Sequence, residues 1–304
     1  MLRKKRMFLW RQLRYRFFEE RWHSYVRRDN SDFEIVSMGK RPWHQDFCAD
    51  PFFFYYGEDL WLFYETLNRG GKGILGCFKF EDDAWSQKGI VLEEPWHLSY
   101  PQVFEDKGNV FMIPESGASG EVSLYQTQSL PYGWEKVATL LTGHYADSTL
   151  LVASGKYWLF AYSVNPEVHL ELWMADQLEG PWKLHPKGRM IANSKRLSRP
   201  AGRCLVEDGQ LFRVAQDCNG DYGKRVFRIP IYKLTPTEYT EGRAELLLDG
   251  KSYPKSSGKH TYNHLRFNDE HYVVVDSKKF YVRRIDCIIK YLFRVLLGKV
   301  RRFF

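Results

Sequence analysis

The sequence pattern of a β-hairpin recurs five times along the 304-residue chain. Each copy has a tight turn flanked by β-branched and aromatic residues, which is the pattern of two paired strands. The turn markers lie 51, 47, 54 and 59 residues apart, at Gly57, Gly108, Gly155, Gly209 and Asn268. A second series has nearly the same period, with spacings of 49 and 48 residues between Trp85, Trp134 and Trp182. This period predicts an all-β body folded as a five-bladed β-propeller, with four strands in each blade.

The basic charge is concentrated at the two ends of the chain. Residues 1–28 hold ten Lys/Arg against two Glu, and residues 278–304 hold nine against one Asp, so each end carries +8 and the body between them carries −8. A polyanion binder normally spreads basic groups over its folded face, so this split argues against a nucleic-acid partner. It favours two anchors on an anionic membrane surface.

Both ends also show an amphipathic pattern. Near the C-terminus, apolar residues follow one helical stripe with basic residues roughly opposite: Ile285, Ile288, Ile289, Leu292, Val295 and Leu296 against Lys290, Arg294 and Arg301. A helix of this kind lies in a membrane interface. The N-terminal segment mixes Phe8, Trp10 and Phe18 with arginines in the same way. We predict basic amphipathic helical segments at residues 1–30 and 280–304 around a propeller of residues 31–279. The alternative is a basic helix packed on the propeller or on a partner.

The cysteines favour a reducing compartment. The chain has five, Cys48, Cys77, Cys204, Cys218 and Cys287, with no CxxC pair, so neither a disulfide framework nor a zinc site is indicated. We expect no metal and no cofactor. The N-terminus has no apolar signal region, and no stretch approaches eighteen uncharged apolar residues. A cytoplasmic protein, peripheral on the inner face of the membrane, is therefore expected.

Polar residues fall at one place in each blade, near the start of the strand that would line the channel. Asp50 lies seven residues before its turn marker and Asp147 lies eight before its own. The corresponding places in the other blades hold Tyr100, Arg199 and His260. In a propeller these positions open on one channel mouth. The sequence therefore predicts that Asp50 faces a cavity together with Asp147.

Further acids follow the second strand of two blades. Glu115 comes just after Pro114 in blade two, and Glu65 has the same place in blade one, where we expect a solvated strand end. Carboxylates around one cavity suit glycoside chemistry, in which one group is an acid and another a base or nucleophile. The predicted catalytic residues are Asp50, Glu115 and Asp147. The predicted substrate-binding residues are Trp43, His44, Tyr100, Arg199, Tyr222 and His260.

The order of these motifs resembles a known family. "HQDFCADPFFFYYGEDLWLFYE", "YPQVFEDKGNVFMIPES", "DSTLLVASGKYWLFAY" and "GKHTYNHLRFNDEHYVVVD" are similar to the propeller module at the N-terminus of plant glucosamine inositolphosphorylceramide transferase and its stand-alone bacterial relatives, over residues 36 to 277. More distantly, the "DP" acid resembles that of the family 43 glycoside hydrolases. This likeness implies that Asp50 is the base, that Asp147 orients and tunes, and that Glu115 is the acid, although family 43 places its acid in a later blade, where this chain has Arg199.

Three functions remain open from the sequence. The first is a peripheral-membrane glycosyltransferase that acts on a lipid-linked or cell-envelope glycan, with a glycan or a nucleotide or lipid-linked sugar as substrate. The second is a glycoside hydrolase that uses Asp50, Glu115 and Asp147. The third is a glycan-binding propeller that positions a partner enzyme without catalysis.

Overall fold

The computed structural model describes residues 17–37, 47–165, 167–192 and 196–282. The first described strands are β1 (Phe18–Arg28) and β2 (Glu34–Val36). Three blades of four strands follow: β3 (Ala49–Tyr56), β4 (Asp59–Leu67), β5 (Gly73–Glu81) and β6 (Ala84–Leu92); β7 (Ser99–Asp106), β8 (Asn109–Glu115), β9 (Glu121–Thr127) and β10 (Glu135–Thr142); β11 (Tyr145–Ala153), β12 (Lys156–Ser163), β13 (His169–Ala175) and β14 (Lys183–Ala192). A 3₁₀ turn, Gly117–Ser119, lies between the second and third strands of blade two.

Blade four is more divided, and blade five draws strands from both ends of the chain. Blade four has β15 (Arg199–Pro200), β16 (Leu205–Glu207), β17 (Gln210–Asp217), β18 (Arg225–Leu234), β19 (Tyr239–Glu241) and β20 (Glu245–Asp249). The last strands are β21 (Tyr262–Phe267) and β22 (Glu270–Val282), and the fifth sheet has the order β2-β1-β22-β21. The five predicted blades are therefore confirmed, and each turn marker joins the inner strand of its blade to the next strand.

The predicted N-terminal helix is wrong where the structure describes it. Residues Phe18–Arg28 form a strand that pairs beside β22 and completes the last blade. Its central stretch, "WHSYV", is buried throughout, and aromatic and β-branched residues suit a strand packed between sheets. Burying both faces of this strand stabilises it more than a helix would be stabilised by the spacing of the surrounding basic residues.

The predicted C-terminal helix also begins too early. β22 continues to Val282, so residues 280–282 belong to a strand. Residues 1–16 and 283–304, which carry most of the predicted membrane anchors, lie outside the described residues. Within the described residues, no helix is both long enough and apolar enough to span a membrane.

The chain divides into a unit of Trp22–Ser277 and a second unit of Met1–Arg21 with Lys278–Phe304. In the second unit, the described parts are the outer ends of β1 and β22. There the guanidinium of Arg21 lies over the ring of Tyr281, 4.5 Å from its centroid, and the Lys278 side chain is fully buried with Glu20 at 3.9 Å. These charges therefore have contacts within their own unit.

In the larger unit, the core consists of hydrophobic clusters between neighbouring blades. β4 is buried along almost its whole length because sheets cover both of its faces, which explains its continuous apolar run in place of an alternating pattern. Phe63 and Leu75 of blade one pack with Val103 and Met112 of blade two, and comparable clusters join the other pairs. This packing holds the five inner strands around the channel.

Candidate active site

The inner strands of blades one, two and three begin with the same backbone irregularity. In each, a residue with positive φ and its successor oppose a single residue on the next strand; these residues are Asp50 (φ 46°), Tyr100 (φ 50°) and Asp147 (φ 47°). This is a β-bulge, a device that re-aims side chains next to active sites. A non-glycine residue in this conformation stores roughly 1–3 kcal/mol of strain. The repeat explains why the two aspartates, predicted from their phase, occupy equivalent places.

Asp50 is buried among polar groups of blade five. The hydroxyl of Thr261 donates to its Oδ1 at 2.6 Å, and its own backbone N–H donates to Asp276 Oδ2 at 3.3 Å. Burial raises the pKa of Asp50 to about 6; the charges of Asp147 and Asp276 add to this, while that of His260 opposes it. Asp50 can therefore exchange a proton near neutral pH, as a general base must.

His260 and Asp276 form a buried ion pair beside Asp50. The Nδ1 of His260 donates to Asp276, whose Oδ1 also accepts the backbone N–H groups of His260 and Thr261, both at 3.0 Å. Burial disfavours the charged imidazole, but the charge of Asp276 outweighs it, so the pKa of His260 is raised. Burial likewise disfavours the Asp276 carboxylate, but His260 outweighs it and lowers that pKa. Each group therefore favours the charged form of the other.

Asp50, His260 and Asp276 also have the ligand types of a metal site. One ligand atom from each lies within 4.8 Å of the others. However, Nδ1 of His260 holds a proton that it donates to Asp276, and a metal ligand nitrogen must be free of its proton. The hydrogen bonds of this cluster favour an ion pair over a cation site.

A second cluster lies around Asp147. The guanidinium of Arg199 holds this carboxylate by two hydrogen bonds, from Nε at 2.5 Å and from Nη2 at 3.1 Å, and Gln216 donates a third at 2.8 Å. The same Nη2 lies 3.3 Å from Glu115 Oε2, which also accepts the backbone N–H of Asp147 at 3.2 Å. Two-pronged contacts of this kind fix both position and orientation.

The two glutamates of this mouth differ from Asp50 in their acidity. Burial, followed by the charge of Asp147, raises the pKa of Glu115 well above its usual range despite the opposing Arg199. Burial also raises the pKa of Glu65, with further contributions from Asp50, Glu115 and Asp147. Both therefore keep their proton to a higher pH than an ordinary glutamic acid does. The expectation of a solvated strand end at Glu65 is wrong, because only 6% of this residue is exposed.

Three predicted binding residues lie together. The guanidinium of Arg199 sits over the ring of Tyr222, 5.2 Å from its centroid, and Tyr222 meets the edge of the His260 ring at the same distance. Tyr222 is only part buried, so its ring can contact a ligand.

The other predicted binding residues do not join this group. Tyr100 is fully buried, and its hydroxyl contacts Thr149 Oγ1 at 2.8 Å and accepts the backbone N–H of Gly202 at 2.6 Å. It therefore braces the channel, and its fully buried ring offers no face to a ligand. Trp43 and His44 lie outside the described residues.

Asp276 and Gln216 were missed as site residues, although the repeat holds a signal for them. In the second strand of each blade, the position seven or eight residues after the turn marker holds Glu65, Glu115, Ser163, Gln216 and Asp276. Four of these five places bring a carboxyl or amide to the mouth clusters. The same position in blades four and five therefore identifies Gln216 and Asp276.

The fold and the mouth define a five-bladed β-propeller in which acidic groups from several blades meet at one end of the channel. The chain belongs to the family of the N-terminal region of glucosamine inositolphosphorylceramide transferase 1, whose sequence model matches residues 29–285. The resemblance seen in the motifs is therefore confirmed.

Plant proteins named glucosamine inositolphosphorylceramide transferase 1 are similar to this chain. The Arabidopsis thaliana protein is 36% identical over 231 residues, which cover 73% of this chain and 30% of the relative. The protein of japonica rice, Oryza sativa, is 33% identical over 232 residues, covering 73% and 31%. The chain thus spans about a third of the length of these relatives.

Solved structures share the fold at low sequence identity. A family 43 β-xylosidase/α-arabinofuranosidase from a compost microbial metagenome superposes with a TM-score of 0.55 at 10% identity, covering 83% of this chain and 97% of the other. A family 117 glycoside hydrolase of the marine bacterium Zobellia galactanivorans gives a TM-score of 0.51 at 13% identity, covering 76% and 84%. These likenesses establish the propeller fold.

Proposed function

We propose that this chain is a carbohydrate-active enzyme that transfers a glycosyl group at the channel mouth, in the synthesis of a lipid-linked or cell-envelope glycan. One observation carries the proposal: carboxyls of unlike acidity meet at this mouth, since the pKa of Asp50 is about 6 and that of Glu115 lies well above its usual range. Glycosyl chemistry uses a basic carboxylate and a neutral acid side by side. The transferase name of the plant relatives supports the reaction class.

Asp50 is the base in this proposal. Once deprotonated, it accepts the proton of an attacking hydroxyl, while Thr261 holds its Oδ1 in place. Asp147 orients the reacting groups, because Arg199 and Gln216 fix its carboxylate. Tyr222 offers a ring on which a sugar can stack.

The attacking hydroxyl decides between transfer and hydrolysis. An acceptor sugar or lipid hydroxyl gives transfer, whereas water gives hydrolysis with the same two carboxyls. The transferase name of the relatives favours transfer, and hydrolysis is the alternative outcome of an assay with water as the acceptor.

The test is complementation of a strain that lacks this protein, with the electrophoretic mobility of its surface glycan as the readout. Asp50→Asn keeps the shape of the side chain and removes its basicity, so we expect the glycan to be lost and the purified variant to remain folded. Asp208→Asn is the matched control, since Asp208 has a similar φ of 48° in an exposed turn. A normal glycan with Asp50→Asn would instead support a binding propeller without catalysis.

We also propose that the chain is cytoplasmic and peripheral on the inner face of the membrane. The support is the sequence at the two ends: residues 1–16 hold seven Lys/Arg and no acid, and residues 283–304 hold seven against one Asp. Each basic residue near an anionic surface contributes about 1 kcal/mol. The anionic headgroups would then hold the channel mouth close to lipid-linked substrates.

A further inference from the structure

Glu65 stands apart from the other acids of the mouth by its lack of hydrogen bonds. Asp50, Glu115, Asp147 and Asp276 each accept at least one hydrogen bond from the protein. Within the described part of the chain, the carboxyl of Glu65 accepts none, and its polar neighbour is His97, whose Nε2 lies 3.3 Å from Oε1. A buried carboxyl without partners is costly, so this one is available to a ligand.

The fold places Glu65 directly at the reacting end of blade one. It lies in β4 opposite Ala49, the residue before the bulge that aims Asp50 into the mouth. The charges of Asp50, Glu115 and Asp147 all raise its pKa. With 6% of the residue exposed, Glu65 is screened from bulk solvent and yet adjoins the acids of the site.

The ring of His97 places Nε2 3.3 Å from Glu65 Oε1, close enough to donate a hydrogen bond once Glu65 has lost its proton. The backbone N–H of Gly73 donates to His97 Nδ1 at 2.9 Å, so Nδ1 is the acceptor and Nε2 carries the hydrogen of the neutral ring. Burial, with the charge of Arg199, lowers the pKa of His97 and keeps the ring neutral.

Only glycine at position 73 leaves room for the His97 ring in this position. A Cβ at this position would lie 2.5 Å from His97 Cε1 and 2.4 Å from the backbone oxygen of Leu98, whose N–H donates to the Gly73 carbonyl at 3.1 Å. Gly73 therefore supplies both the donor that sets the tautomer and the space that the ring occupies.

We infer that Glu65 is the proton donor of this site, and that His97 is a positioning residue that stabilises the carboxylate left behind. The inference rests on the proposed glycosyl transfer and gives the role of the acid to Glu65 in place of Glu115, whose Oε2 already accepts from Arg199 and from the backbone N–H of Asp147. As the bond between the sugar carbon and the leaving oxygen breaks, that oxygen takes the bonding electron pair and the proton of Glu65. The acceptor hydroxyl bonds to the sugar carbon and gives its proton to Asp50, and exchange with solvent returns both carboxyls to their starting states.

This assignment also defines the class of glycosyl donor. A phosphate leaving group is a weak base, with a pKa of about 6, and departs without a proton. An alkoxide is a far stronger base and needs one. A neutral, unpaired acid beside the base therefore fits a donor in which the sugar is joined to an alcohol oxygen, that is, an O-glycoside, more closely than a nucleoside diphosphate sugar.

The kinetic test compares leaving groups in a panel of simple glycosides. We expect Glu65→Gln to slow cleavage of an alkyl glycoside about 10²–10⁴-fold and to leave that of the dinitrophenyl glycoside of the same sugar nearly unchanged, because only the alkoxide needs the proton. Glu58→Gln, at an exposed turn of the same blade, is the control. Equal losses on both glycosides would overturn the donor assignment and leave the proposed function standing. A wild type inactive on every glycoside would overturn both.

A spectroscopic test is independent of turnover. At pH 7 the infrared spectrum should contain the C=O band of a neutral carboxyl that disappears in Glu65→Gln, and its absence from the wild type would overturn the inference. Removing the Nε2 donor by His97→Ala should raise the Glu65 pKa and move this band's titration to higher pH, with His97→Gln partly restoring it. Gly73→Ala should match His97→Ala. A titration unmoved by His97→Ala would refute the positioning role.

Discussion

Trp22 and His260 stack face to face, with ring centroids 3.7 Å apart and planes 13° from parallel. Trp22 belongs to β1 near the start of the chain, whereas His260 precedes β21 near its end. The strand that completes the fifth blade therefore also forms one wall around the histidine of the mouth.

Replacing Trp22 should remove this stacking contact and destabilise the fold. Trp22 is 3% exposed, so Trp22→Ala should lower the free energy of unfolding by about 3–5 kcal/mol, measured by urea denaturation. Trp22→Phe keeps an aromatic face and should cost less than half as much. Equal losses for the two variants would show that the stack contributes little.

The proton affinity of Asp50 predicts opposite effects of pH on activity and stability. A base must be deprotonated, so kcat/KM should fall as the pH drops through about 6, the pKa of Asp50. This folded-state pKa lies above the ordinary value of 3.8, so the folded protein binds the proton more tightly than the unfolded chain does. The resulting stability is fully present below pH 3.8 and is lost as the pH rises through 6.

Asp50→Asn removes the buried charge and should therefore be more stable than the wild type at pH 8, by up to about 3 kcal/mol, while being inactive. Thermal unfolding at pH 4 and pH 8 measures this difference. A variant less stable than the wild type at pH 8 would contradict the pKa of Asp50.

The ion pair of His260 with Asp276 should stabilise the fold only within a limited range of pH. The pKa of His260 is raised, so its contribution is present below about pH 6.5 and is lost as the pH rises through the raised value. The pKa of Asp276 is lowered, so its contribution is present above about pH 3.8 and is lost as the pH falls through the lowered value. Between these limits the pair is intact.

Asp276→Asn should cost about 3–5 kcal/mol within that window, because it leaves the buried imidazole without its counter-charge. The pKa of His260, followed by proton NMR of the ring, should fall. Asp269→Asn, in the exposed turn before β22, is the control. An unchanged His260 titration in Asp276→Asn would show that another group sets its pKa.

The membrane proposal is tested by a truncation that spares the propeller. Because β22 ends at Val282, removal of residues 283–304 leaves the last strand complete. We expect the truncated chain to pellet less with phosphatidylserine vesicles at low salt than the full chain, with an unchanged melting temperature. Equal binding of the two forms would exclude the C-terminal segment as an anchor.

The sequence predicts the blades because each hairpin carries its own turn and its own apolar run, as around Gly57 and Gly108. It does not predict the closing pair of β1 and β22, because no local pattern links strands that lie more than 200 residues apart. The arginines of residues 18–28 also contributed to the wrong prediction of an N-terminal helix. Arg28 pairs with Asp83 at 2.5 Å and with Glu270 at 2.6 Å, contacts that exist only in the closed ring.

Within the site, the sequence identifies Asp50 and Asp147 from their phase in the repeat, but it does not predict the acidity of their neighbours. The raised pKa of Glu65 depends on burial and on the charges of Asp50, Glu115 and Asp147. The fixed tautomer of His97 depends on a backbone donor, Gly73, 24 residues earlier. Such features arise from packing, and spacing in the sequence does not encode them.

The partners of Asp50 have a consequence for biosynthesis. Asp50 accepts a hydrogen bond from Thr261 and donates one to Asp276, which lie 211 and 226 residues further along the chain. A ribosome that has completed four blades has made Asp147, Arg199 and Glu115, but not the groups that hold Asp50. The nascent chain therefore cannot fix the position of the Asp50 side chain until residue 276 has emerged and the ring has closed.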